Sequence, residues 1–417
     1  MTGARVIVVG GGPAGASTAW HLARAGVDVL VLDRARFPRD KPCAEYLSPE
    51  ASRILAKMDA LAACEGAGAA PLAGMIVRAP SGERIHGDFA ASHGWRGFRD
   101  RGLALRRRVL DAILLDRARA AGARVEEDAR VTDLARGADG AVRGVRVIDG
   151  DGHATEHRAE IVVGADGLRS VVARRLALAR TARAPNRVAF VAHYRGVDGI
   201  GEYGEMHVER DGYVGLAPVD DGLTNVAMVV PRRSARGAAG DAAAFLERWL
   251  AARAHLVPRF ARAERVSRVR AVGPFAHRAR RGWAPGAVLV GDAADFFDPF
   301  TGEGIYAALR GGELVAPAIV NALGAARRRD ANAALAAYDR ERRDAFGGKW
   351  RVERLVSLAV GWPALMNLAA RALSRHKEMA DLFVGVTGDF VPPRAVLSAR
   401  YLGRMLAAAL VLPRPTQ

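Results

Sequence analysis

Residues 5–34 constrain this chain more than any other stretch. Arg5-Val6-Ile7-Val8-Val9 is a near-continuous β-branched run, the mark of a parallel strand buried on both faces. It runs into Gly10-Gly11-Gly12-Pro13-Ala14-Gly15, then a helical stretch from Ala16 to Ala25 closed by Gly26. A second strand, Asp28 to Leu32, ends in Asp33-Arg34. This is G-x-G-x-x-G between a strand and a helix, with an acid at the end of the next strand. Gly10 permits the tight turn, Gly12 lets backbone approach a pyrophosphate, and Gly15 lets helix and strand pack closely. The helix N-terminus at Pro13 and Ala14 offers partial positive charge to phosphate. Asp33 can accept from both ribose hydroxyls, which argues against a 2′-phosphate. A dinucleotide site follows, but the loop alone does not choose between NAD and FAD.

Composition bounds the rest. At 417 residues two domains are expected, and a chain half hydrophobic and a quarter charged is globular. The formal charge is +17, yet only four of the 62 basic residues are lysines, and the arginines are scattered without blocks. No stripe of arginines with interleaved aromatics marks a nucleic-acid face, so no nucleic-acid partner is expected. Cys43 and Cys64 make neither a disulfide framework nor a metal cluster, and no metal is expected. The chain starts almost directly with an apolar strand and shows no secretory leader, so the expectation is a cytoplasmic protein.

Two later motifs resolve the cofactor. Glu160-Ile161-Val162-Val163 reads as a buried strand followed by Gly164-Ala165-Asp166-Gly167 and Ser170. Ala287-Val288-Leu289-Val290 reads as another, running into Gly291-Asp292-Ala293-Ala294. Asp298-Pro299-Phe300-Thr301-Gly302-Glu303-Gly304-Ile305 then opens a long helix. With these three motifs in order, the chain from residue 3 to about 325 resembles the flavoprotein superfamily of para-hydroxybenzoate hydroxylase-like monooxygenases, flavin-dependent halogenases and geranylgeranyl reductase-like enzymes.

The resemblance implies FAD, with Asp292 on the ribityl hydroxyls and Pro299, Gly302, Gly304 and Ile305 against the flavin ring. The helix they open would aim its N–H groups at N1 and the C2 carbonyl. It implies that Asp166 helps to hold FAD and a pyridine nucleotide, that Arg107 lies near the pyrophosphate, and that backbone at Val131 touches the adenine. Arg107 also reads as part of a solvated arginine cluster, and Val131 as part of an ordinary strand. Ala173 stands where the family usually has arginine, with Arg174 one place later. No second nucleotide fingerprint exists: Gly196 to Gly201 fits the letters but reads as a turn. Electrons would come from transiently bound NAD(P)H or from a partner flavin reductase.

The expected fold class is α/β: a Rossmann-type, three-layer FAD domain interrupted by an antiparallel-sheet substrate domain, with a helical C-terminal segment. The FAD domain is expected from 1–70, 101–180 and 276–330, the substrate domain from 71–100 and 185–275, and the helical segment at 331–417. Alternating runs at Val188 to Tyr194, Glu205 to Val208, Gly212 to Pro218 and Leu223 to Val230 would form a roof over the flavin. On one face of that roof Tyr213, Gly215 and Ala217 would meet substrate, with His193 and Pro218 nearby. Prenyl reductases carry Tyr-x-Trp-x-Phe-Pro there, so Gly215 and Ala217 replace two aromatics and widen the cavity.

Lys41-Pro42-Cys43-Ala44-Glu45 resembles the Cys-Gly-Glu loop beside the flavin of geranylgeranyl reductase-like proteins, with Ala44 for glycine. Cys43 and Glu45 are the candidate catalytic residues, Cys43 being open between a proton source and a packing residue. Halogenation is not expected, because no lysine occurs between Lys57 and Lys349 and the Trp-x-Trp-x-Ile-Pro motif is missing. The widened roof favours a monooxygenase acting through a flavin hydroperoxide, and hence O2, on a bulky hydrophobic or aromatic, polyketide-like molecule of secondary metabolism. The alternative is reduction of alkenes in a prenyl chain, and a third reading is a flavin-containing RNA-binding protein. Apolar residues from Leu355 to Met366, flanked by Arg351, Arg354 and Arg371, suggest contact with a membrane or carrier at the inner face of the membrane.

Overall fold

A computed structural model describes residues 3–90, 93–181, 186–238 and 240–410. Residue 185, at the expected start of the second roof segment, and 411–417 of the C-terminal segment lie outside the described residues. The fold is mixed α/β. Its centre is a six-stranded sheet in the order Trp283–Ala284, Ala287–Leu289, Ile161–Gly164, Val6–Val9, Val29–Leu32, Arg124–Glu126. All neighbours are parallel except the first two, which form a hairpin. The strands Val6–Val9, Val29–Leu32 and Ile161–Gly164 are buried at every position, as sheets covered on both faces require.

Register decides where the site falls. Val9 pairs with Gly164, and Gly164 with Leu289, so three strands end level with one another. The loops that follow, at residues 10–15, 165–167 and 291–293, therefore stand side by side at the carboxyl edge of the sheet, where open α/β sheets bind ligands. Helix Pro13–Arg24 packs on one face against Gly304–Gly324. Close approach there requires glycine: a Cβ on Gly312 would lie 2.6 Å from the Ser17 Oγ. A three-stranded sheet, Arg130–Arg136, Val142–Ile148 and Ala154–Arg158, covers the other face.

The roof is an eight-stranded sheet that joins residues 74–88 to residues 187–272. It is antiparallel except where Tyr203–Glu209 pairs in parallel with Gly74–Arg78. The strands expected to be antiparallel, between Val188 and Val230, pair so. The parallel pair arises because the strands meet from two separate excursions of the chain, not across a hairpin. Strand alternation gives the roof two apolar faces. Ala189, Val191, Met206, Tyr213, Ala227 and Val229 look inward, and Phe190, Ala192, Val214, Leu216, Val226 and Met228 pack beneath Leu246, Trp249 and Leu250 of helix Ala242–Ala251.

The C-terminal region is helical: Arg328–Gly361, Pro363–Arg375, Lys377–Thr387, Arg394–Leu397 and Ala399–Leu410. Pro363 has no N–H to continue the first of these, and the chain bends by 114° there. No single described helix is long and apolar enough to cross a membrane.

Candidate active site

A cavity of about 260 Å³ lies between the carboxyl edge of the parallel sheet and the inward face of the roof. Its wall includes Gly12, Pro13, Ala14, Arg107 and Asp292 on the sheet side, and Tyr213, Gly215 and Ala217 on the roof. Cys43 and Glu45 line it from the connecting loop, and Pro299, Gly302, Gly304 and Ile305 from the mouth of helix Gly304–Gly324.

At one end the wall is built for an anion. Helix Pro13–Arg24 has no side-chain cap and no acid in its first turn, so its leading N–H groups are open. A Cβ on Gly12 would meet only Arg39 Nη2 at 3.5 Å and Arg107 Nη2 at 3.8 Å. Arg107 is fixed in place by two bonds to Asp111, at 2.7 and 2.8 Å, and Arg39 bonds the same carboxylate at 2.9 Å. Burial works against the Arg107 charge, but Asp111 and Cys43 outweigh it and raise its pKa. Lys41, also in the wall, is held below its ordinary pKa by burial and then by Arg107. Arg39 and Arg107 thus converge on an uncapped helix N-terminus, with Lys41 in the same cavity wall.

Beneath this wall Gly10 (φ 102°) and Gly15 make the turn, and a Cβ on Gly15 would fall 1.8 Å from the Gly10 carbonyl oxygen. Asp33 accepts from Gly11 N–H at 2.7 Å and from Ala35 N–H at 2.9 Å, leaving lone pairs on both oxygens. Asp166 accepts from Val171 N–H at 2.6 Å, while its buried Oδ1 has no hydrogen-bond partner among the described residues. Burial raises its pKa against those bonds.

At the other end, helix Gly304–Gly324 again starts without a side-chain cap or a first-turn acid. Gly302 sits at φ 74°, and a Cβ there would strike Tyr46 Cδ1 at 2.7 Å. Burial raises the pKa of Glu303, with Lys349 opposing, and burial and then Glu303 raise that of Glu353; both line the cavity. Tyr213 donates to Asp298 Oδ1 at 2.7 Å, and burial and Asp298 keep the phenol protonated.

Beside Cys43, Glu45 is buried and left-handed at φ 62°. Its Oε1 accepts from Arg107 N–H at 2.9 Å; its Oε2 accepts from Asn225 Nδ2 at 2.9 Å and bonds His193 Nε2 at 2.7 Å. Cys64 is a buried packing residue far from this wall, its thiol pushed up to about 12 by burial.

Some expected residues stand elsewhere. His193 does not line the cavity, because its ring is turned onto Glu45 and backs the wall. Pro218 is also off the wall, being the terminal residue of its strand. Arg34 is exposed, with no ion pair among the described residues; the Val131 side chain is buried in the core between the parallel sheet and the outer three-stranded sheet, which leaves the expected backbone contact untouched. Sequence reasoning assigned no role to Lys41, Arg39, Asn225, Glu303 or Glu353. Only Asn225, a lone amide in the apolar run Leu223–Pro231, carried a local signal.

The residues present fit FAD. The cationic cradle matches a pyrophosphate. The Asp292 side chain has no hydrogen bond among the described residues and faces the cavity, open to a hydroxyl-bearing chain. The second uncapped helix N-terminus matches the electron-rich edge of a flavin ring. Fold and site together define an FAD-dependent oxidoreductase.

The sequence pattern described as the FAD binding domain matches residues 3–351, and the chain belongs to that family. It is similar to the digeranylgeranylglycerophospholipid reductase of Methanosarcina mazei, 31% identical over 327 residues, covering 77% of this chain and 76% of that one. It is 26% identical to the menaquinone reductase of Mycolicibacterium smegmatis over 414 residues, covering 94% and 92%. Among solved structures, the myxobacterial chondrochloren halogenase CndH shares the fold at a TM-score of 0.79 and 23% identity, covering all of this chain and 99% of that one.

Proposed function

We propose that this protein reduces isolated carbon–carbon double bonds in the prenyl chain of a lipid. The observation that carries the reading is Cys43 and Glu45 side by side in the wall of a cavity whose roof side is largely apolar. An alkene has no polar group to orient it, so the wall must supply shape and a proton. Ala189, Val191, Met206, Ala227, Val229 and Phe275 supply the shape and exclude water. FAD, when bound, supplies the electron pair. Glu45 and Cys43 hold the proton that completes the saturated bond. The digeranylgeranylglycerophospholipid reductase supports this choice, since it matches at 31% identity against 26% and 23% for two halogenases. The flavin is recharged by transient NAD(P)H or by a partner reductase.

Lipid delivery belongs to the same reading. Arg351, Arg354, Leu355, Leu358 and Trp362 are all exposed at helical spacing on Arg328–Gly361 and its end, and Arg354 also lines the cavity. This stripe would rest on an anionic membrane surface beside the cavity entrance.

A second reading, oxygenation of a bulky hydrophobic molecule, is favoured by the small side chains at Gly215 and Ala217. One experiment separates them. The photoreduced protein is mixed with a geranylgeranyl lipid under nitrogen and, separately, in air, and the product is weighed by mass spectrometry. Gain of two hydrogens without oxygen supports the reductase. Gain of one oxygen atom, only in air, replaces it with the monooxygenase.

A further inference from the structure

Glu45 is held more firmly than a passive wall residue needs. Its left-handed backbone is strained for a residue with a Cβ. Such strain persists only where surrounding bonds impose it, and here they do. The Glu45 carbonyl accepts from Leu105 N–H at 3.2 Å, its N–H lies 3.4 Å from Cys43 Sγ, and its carboxylate takes the three bonds described above. Two of those bonds come from the roof, where His193 and Asn225 are direct partners across neighbouring strands. Asn225 Nδ2 also donates to the Cys43 carbonyl at 3.0 Å, tying the two loop residues to one amide.

His193 differs from the other partners of this carboxylate because it is the most exposed of them and does not line the cavity. Glu45, Asn225 and Cys43 line the cavity, whereas His193 does not. Its side chain keeps 16% of its surface open, against 3% for Glu45. Nε2 is committed to Glu45, and Nδ1 has no hydrogen bond among the described residues and is left for water. The main-chain N–H of His193 donates to Ser267 Oγ at 2.8 Å, which anchors the residue without using the ring. The ring of a partly exposed side chain therefore has one nitrogen on a cavity carboxylate and the other without a hydrogen bond among the described residues.

We propose that His193 and Glu45 form a proton relay from solvent to the cavity. The proposal rests on the reductase reading. Saturating one double bond takes a hydride from reduced flavin at one carbon and a proton at the other. Glu45 gives up that proton, directly or through the Cys43 thiol, and becomes a carboxylate. A solvent proton then binds His193 Nδ1 as the Nε2 proton passes to Glu45 Oε2, and reorientation of the side chain brings the protonated nitrogen back to Glu45 for the next turnover. One proton enters per bond saturated, without water having to reach the reacting carbons. His193 acts through Glu45 and does not touch substrate.

The test uses His193→Gln, whose amide can still donate to Glu45 but cannot carry a proton, with His193→Asn as a second variant should the first fold poorly. Both holoproteins are checked for FAD content and melting temperature. Hydrogenation of a geranylgeranyl lipid should fall at least tenfold, recover with added imidazole, and show a larger solvent deuterium isotope effect than wild type. Independently of turnover, 15N-histidine NMR of the wild-type holoprotein should show a downfield Nε2–H proton that shifts upfield in Glu45→Gln. Hydrogenation unchanged in a folded His193 variant, or loss that imidazole does not rescue, overturns the relay alone. An Nε2–H signal indifferent to Glu45→Gln does the same. No hydrogenation by the wild-type protein overturns the reductase reading, and the relay with it.

Discussion

The same methyl group, added at two glycines three residues apart, should have opposite consequences. At Gly15 the new Cβ would fall 1.8 Å from the Gly10 carbonyl oxygen and 3.3 Å from Val8 Cγ1, where real Cβ atoms do not approach within about 3.0 Å. Neither neighbour is a flexible tip, so the loop must separate from the helix. Overpacking of this kind costs about 1–3 kcal/mol before the loop geometry is lost as well. At Gly12 the backbone is extended (φ −73°, ψ −175°), a conformation alanine adopts freely, and the Cβ meets only two guanidinium groups at 3.5 and 3.8 Å. Gly12→Ala should therefore destabilise the flavin-free protein by no more than about 1 kcal/mol, the difference between glycine and alanine at a helix N-cap. It would occupy the space a phosphate must enter. Losing one charge-assisted hydrogen bond costs about 1.5–3 kcal/mol, which weakens FAD binding roughly 10–100-fold. The assay is thermal unfolding of flavin-free protein, paired with FAD titration by flavin fluorescence. Gly12→Ala should melt near wild type and bind poorly, while Gly15→Ala should fail in both. A Gly12→Ala protein that binds FAD within twofold of wild type would refute the placement of the pyrophosphate.

Other outcomes follow from the same geometry. Asp292→Ala should fold but mostly lose its flavin, because the carboxylate has no hydrogen bond to lose among the described residues; unchanged FAD content after gel filtration would contradict this. Gly215→Trp should keep FAD and its melting temperature while blocking turnover of a bulky substrate, since its Cβ displaces only the Met206 thioether at 3.1 Å; full turnover would argue against substrate lying under the roof. Glu205 is lowered to about 2, with burial opposed and outweighed by Arg259 and His207. A depressed carboxyl contributes stability that is present above pH 4.5 and lost as pH falls toward about 2. Glu205→Gln should flatten that part of the acid denaturation curve, and an unchanged slope would remove the ion pair as its cause. In flotation, the protein should rise with anionic liposomes at low salt and less so at high salt; staying at the bottom at low salt would rule out the membrane contact.

The sequence was most informative where structure is local. A β-branched run, a glycine turn and a helix start within fifteen residues specify their own conformation, because each depends on sterics between near neighbours. Three such units in order were enough for FAD and for the α/β class. Even the inward face holding Tyr213, Gly215 and Ala217 was readable, since a strand alternates with period two. What depends on register was not readable. Gly164 stands opposite Val9 and Leu289 through hydrogen bonds between distant strands, and that levelling makes one cleft from three loops. The parallel seam between Tyr203–Glu209 and Gly74–Arg78, the position of Lys41 among Arg39 and Arg107, and the turn of His193 away from the cavity were equally silent. His193 shows the reason most plainly. Its ring is directed by a carboxylate 148 residues earlier in the chain. Only the pairing of its strand with that of Asn225 brings both to Glu45, and no local pattern encodes where a buried polar group will find its partner.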